Sequence, residues 1–84
     1  MKSKKIFEEL IDVGKNLGIK IIQDKGNFKG GYCLLEEEKI IVLNKLKPLE
    51  FHIKSLITIY SQRDISKIYI KPIIRNMIEN NNKT

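Results

Sequence analysis

One cysteine and one histidine are too few for most of the chemistry a small protein can carry. A lone Cys33 forms no internal disulfide and builds no cysteine zinc site, so a reducing cytoplasm is the simplest home for the chain. His52 has no second histidine and no paired carboxylates in register with it, so no tetrahedral metal set is expected and no cofactor is implied. Long apolar runs are missing too. The longest, around Leu34 to Leu46, is broken by Glu36, Glu37, Glu38 and Lys39, which excludes a bilayer-spanning helix and a membrane partner. Met1-Lys2-Ser3-Lys4-Lys5 is followed by Ile6-Phe7-Glu8-Glu9, and those two carboxylates interrupt what a signal peptide would need to keep apolar. Arginine is scarce: Arg63 and Arg75 alone supply the forked guanidinium that suits phosphate and base recognition.

What is present describes a folded domain. At 42% hydrophobic and 31% charged, the chain has enough apolar side chains to make a core and enough charge to keep its surface wet. The expected organisation is a single α+β domain over residues 1–79 and a polar, disordered tail over 80–84. Ser3 is placed to cap a first helix whose apolar positions are Ile6, Phe7, Leu10, Val13 and Leu17, and Gly18 to end it in a left-handed residue. Gly14, inside that helix, either lowers its stability or lets a neighbour approach closely. Ile19 to Gln23 reads as a short strand, and Asp24 to Gly30 as a loop of turn formers.

The clearest pattern follows. Tyr32-Cys33-Leu34-Leu35 and Ile40-Ile41-Val42-Leu43 flank an acidic turn at Glu36 to Lys39, which is a β-hairpin. Each run is apolar on successive residues, so both faces of the hairpin call for burial. Lys47-Pro48 then starts a second helix with Leu49, Ile53, Leu56, Ile57 and Tyr60 as its core stripe, Phe51 and Ile59 falling outside it. Residues 65–71 read as extended or irregular ahead of Pro72. Pro72 opens a short third helix carrying Ile73, Ile74, Met77 and Ile78. The expected fold is therefore helix, short strand, hairpin, helix and short C-terminal helix around a small antiparallel sheet. Leu10, Leu34, Val42, Ile53, Leu56 and Ile57 should be buried together.

Residues 31–78 resemble a set of short, uncharacterised bacterial proteins. The matching features are Gly30-Gly31-Tyr32-Cys33, Leu43-Asn44, Pro48-Leu49-Glu50 and Pro72-Ile73-Ile74-Arg75, and the resemblance implies no activity. More remotely, the element order is similar to the core of the IrrE-type zinc metallopeptidases, whose post-hairpin helix holds His-Glu-x-x-His. Ile53-Lys54-Ser55-Leu56-Ile57-Thr58-Ile59-Tyr60 has no such motif, so that resemblance implies a scaffold without its zinc chemistry.

Candidate sites are few. Cys33 and His52 would make a nucleophilic pair only within hydrogen-bond reach of each other. Cys33 sits between apolar neighbours in a strand, where a thiol is an inert small hydrophobe. His52 lies beside the apolar stripe of its helix, where it would be solvated. No catalytic residue is assigned. Gly30 and Gly31 are a candidate anion nest, with a tight approach to the hairpin as the alternative. Lys20, Lys25, Lys29, Lys45 and Lys47 are a candidate basic patch, consistent with a net charge of +6, although an Ile-, Lys- and Asn-rich composition produces such a charge without any partner. The functional expectation is a non-enzymatic interaction module that associates with itself or another protein through surplus apolar surface. The alternative is a nucleic-acid-binding accessory protein, RNA or DNA, resting on the lysines.

Overall fold

The computed structural model describes residues 1–25 and 31–81. Helix α1 spans Ser3–Asn16, strand β1 Lys20–Asp24, β2 Tyr32–Leu35, β3 Ile40–Asn44, helix α2 Leu49–Ser61 and α3 Pro72–Asn80. The class is α+β, with three helices and a three-stranded sheet.

Ser3 is the first residue of α1 rather than its cap. Lys2 stands at the cap position and no side chain bonds there. The C-terminus follows the glycine signal closely. Gly18 has φ +77°, its N–H donates to the Lys15 carbonyl at 3.0 Å, and the Ile19 N–H donates to the Gly14 carbonyl at 2.8 Å. These two bonds satisfy the last carbonyls of the helix and turn the chain straight into β1.

The sheet order is β1-β3-β2, with β2 antiparallel and β1 parallel to β3. The sheet is thus mixed, and the expectation of an antiparallel sheet is corrected. Composition explains the order. Ile40-Ile41-Val42-Leu43 is apolar at every step and takes the centre, while β1, with Lys20, Gln23 and Asp24, goes to an edge where charge and polarity deter further pairing. Once β3 is central, β1 pairs with it and not with β2.

The core gathers Leu10 and Val13 of α1, Ile19, Ile41 and Leu43 of the sheet region, Leu56, Ile59 and Tyr60 of α2, and Ile74 and Ile78 of α3. Of the residues expected to be buried together, Leu10 and Leu56 are fully enclosed. Leu34, Ile53 and Ile57 pack at its margin, and Val42 is not part of it. The buried face of α2 is His52, Ser55, Leu56, Ile59 and Tyr60. Both α1 and α3 pack against α2, and the face buried there is turned from the expected stripe. Ile59 therefore belongs to the core.

Two close approaches lock the layers. A Cβ at Gly14 would lie 2.6 Å from the Tyr60 hydroxyl and 2.7 Å from Ile21 Cδ1, so the bare glycine lets α2 and β1 meet α1. The Tyr60 hydroxyl donates to the Leu10 carbonyl at 2.7 Å, and burial pushes its pKa far above the usual tyrosine value. Beyond α2, the irregular segment up to Lys71 is pinned by Arg75, whose Nη2 donates to the Ile65 and Ile68 carbonyls at 3.1 and 3.0 Å. Lys71 Nζ reaches Glu9 Oε1 at 3.0 Å, which ties the start of α3 to α1 and holds the Glu9 carboxyl below its usual range. Helix α3 runs through Asn80, and Asn81 Nδ2 donates to Ser61 Oγ at 3.3 Å; residues 82–84 of the expected tail lie outside the described residues.

Candidate interaction surface

Side chains alternate along a strand, and residues paired across a ladder share a face. Ile41 and Leu43 of β3 enter the core, and Ile21, Tyr32 and Leu34 share that side by register. Ile40, Val42 and Asn44 point the other way. By the same register they are joined by Lys20, Ile22 and Asp24 from β1 and by Cys33 and Leu35 from β2.

This outer face has a definite pattern. Ile22, Val42 and Cys33 form its middle row, and Ile40 and Leu35 extend the apolar area towards the hairpin turn. None of the five belongs to the core cluster or to the hydrophobic residues packed against it, and Ile22 and Leu35 are each 38% exposed. Among the described residues, no helix lies over them.

Both ends of the face carry charge: three glutamates with Lys20 and Lys39 at the turn end, and Asp24 with Lys25, Lys45 and Lys47 at the far end. At the turn end, Glu36, Glu37 and Glu38 are exposed. Glu36 Oε1 meets Arg63 Nη2 at 3.1 Å, whereas Glu37 and Glu38 make no ion pair among the described residues. At the far end, the Lys45 N–H donates to the Asp24 carbonyl at 3.0 Å and the Lys47 N–H to the Asn44 carbonyl at 2.9 Å. Those bonds bring Lys25, Lys45 and Lys47 together where β1 and β3 end. Lys47 Nζ also sits 5.1 Å from the centre of the Phe51 ring.

The candidate basic patch is thus divided. Lys25, Lys45 and Lys47 share one end, while Lys20, whose N–H donates to the Lys39 carbonyl at 2.8 Å, lies at the turn end, about 16 Å away along β1. Lys29 and Gly30 lie outside the described residues. Gly31 is buried, and a Cβ there would overlap the Phe51 ring, so packing against α2 already requires glycine at this position.

Cys33 and His52 are not brought together. Cys33 is on the outer face, and His52 is on the buried side of α2, its ring 6.0 Å from that of Phe7. The expectation of a solvated His52 is corrected: the residue is 4% exposed, Nδ1 has no hydrogen-bond partner, and burial lowers its pKa. No group of three His, Cys, Asp or Glu side chains among the described residues is placed to hold a metal ion. No described helix is long and apolar enough to cross a membrane.

The doubled apolar pattern of the hairpin indicated that two faces call for cover. Which residues point outward, and the placing of Lys20 and Asp24 at opposite ends of that face, depended on register and strand order and were not identified beforehand. No family model, curated protein or solved structure matches the chain.

Proposed function

We propose that the protein is a non-enzymatic interaction module that offers the outer face of its sheet to another polypeptide. The observation that carries this reading is the row Ile22, Val42 and Cys33, widened by Ile40 and Leu35, on a side of the sheet that no described helix covers. Apolar surface left in water favours burial at roughly 25 cal/mol per Å², and a flat strand surface of this kind accepts a second layer readily. The surplus apolar surface does not come from Phe51 or Ile59, since both are used within the fold.

The test is a photoreactive amino acid placed at Val42 in producing cells, with one at exposed Lys54 as the control. An adduct to a polypeptide at position 42, absent at 54 and abolished by adding Ile40→Asp, supports the reading. No adduct at 42 overturns it.

A second reading, nucleic-acid binding, is favoured by the gathering of Lys25, Lys45 and Lys47 at one end of the sheet. Three phosphate contacts would give a log–log salt slope of about −2.7. Changing Lys25, Lys29 and Lys45 together to Gln should then weaken binding to RNA or DNA, and binding absent at low salt removes this reading. It is the weaker one, because both guanidinium groups already have partners within the chain, Arg63 in Glu36 and Arg75 in two carbonyls.

A further inference from the structure

We infer that the chain seated on the outer sheet face is a second copy of this protein, laid antiparallel about a two-fold axis between the sheets and perpendicular to the strands. The inference rests on the reading of that face as an interaction surface, and it adds the occupant and its direction.

The argument is one of charge placement. A two-fold axis in the plane between two stacked sheets can run along the strands or across them. Along the strands, β1 of one copy lies over β2 of the other, so Lys20 meets Leu35 and neither outer-face charge of β1 meets an opposite one that the register places there. Across the strands, each strand lies over its own copy with its ends reversed. The edge strand obeys the same rule. Lys20 and Asp24 stand on the outer face at opposite ends of β1, and the cross-strand axis sets each over the other's counterpart. Val42, in the middle row, then lies at the centre of the contact. The two charges that the register places on the face, Lys20 and Asp24, thus each meet an opposite one, and the apolar row meets itself.

Magnitude makes the charged ends necessary. Three strands about 4.8 Å apart, with about 13 Å of length carrying the apolar side chains, give an apolar footprint on the order of 200 Å². A stable interface buries roughly 800 Å² per partner. The apolar centre alone makes a weak contact, so the dimer is concentration-dependent and loosened by salt, which screens exposed pairs.

The experiment uses two exposed variants of the full chain, Lys20→Asp and Asp24→Lys, in sedimentation equilibrium over micromolar to millimolar concentration. The wild type is expected to show reversible dimerisation. Each variant alone should associate at least about tenfold more weakly, because like charges now face each other at both ends of β1. Their equimolar mixture should recover association, since the swapped charges complement each other at both ends of a mixed dimer. A strictly monomeric wild type overturns self-association and leaves the crosslink at Val42 to decide the wider reading. A dimer indifferent to both variants, or a mixture that fails to recover, overturns the antiparallel arrangement.

Discussion

The two faces of the sheet are built from the same kinds of residue and have different fates. On β3, Ile41 and Leu43 are 0% exposed beneath the helices, while Ile40 and Val42, equally apolar and one residue away, are not part of the core. Side-chain chemistry does not separate them. What separates them is the number of layers the chain can supply: α1, α2 and α3 all contribute to one core on one side of the sheet. A central strand that is apolar at every step from Ile40 to Leu43 therefore has cover for half of that run.

The comparison breaks most sharply by truncation. Ile41→Ala or Leu56→Ala, each at a fully buried side chain, should lower unfolding free energy by about 2–5 kcal/mol in a denaturant titration. Val42→Ala, on the uncovered side, should change the stability of the monomer by no more than about 1 kcal/mol. Equal losses at positions 41 and 42 would mean that a layer covers the outer face.

Gly14→Ala tests the inner side from the opposite direction. Alanine is the better helix former by about 1 kcal/mol. Here its methyl group would press on the Tyr60 hydroxyl, which is held by the Leu10 carbonyl, and on Ile21. Net destabilisation of about 1–3 kcal/mol is expected, read as a lowered denaturant midpoint. A stabilised variant would show that the layers part more easily than the geometry implies.

The smallest effect is in pH. Burial lowers the pKa of His52 from its ordinary 6.5, so the unfolded chain takes up this proton at higher pH than the folded one. The His52 contribution is thus intact above that ordinary value and is lost as pH falls below it towards the folded pKa. Glu9, held low by Lys71, acts in a more acidic window: its contribution is present above its ordinary 4.5 and is lost as pH falls through its folded value. Denaturant midpoints across pH should fall below 6.5, and His52→Gln should flatten that part of the curve. A wild-type midpoint constant through that range would contradict the burial of His52.

Local signals carried much of the fold. Gly18 ended α1, the two apolar runs around Glu36–Lys39 paired as a hairpin, and Pro72 opened α3, because each depends on a few neighbouring residues. What depended on distant partners was not legible. The parallel pairing of β1 follows from competition for the central place. The buried face of α2, with His52 and Ile59 inside, follows from two other helices docking against it. The candidate surface was half legible. Unbroken apolar runs announced a second face, but only register assigns Val42 to it, and only the parallel pairing of β1 sets Lys20 and Asp24 at opposite ends of it.

Methyl resonances followed against protein concentration test the central claim most directly, because they read both faces of one strand at once. The methyl signals of Ile22, Leu35, Ile40 and Val42 should shift together as concentration rises and return when salt is added, while those of Ile41 and Leu43 stay in place. Outer-face signals that ignore concentration, or inner-face signals that move as far, would contradict an open sheet face that receives a second copy of the chain.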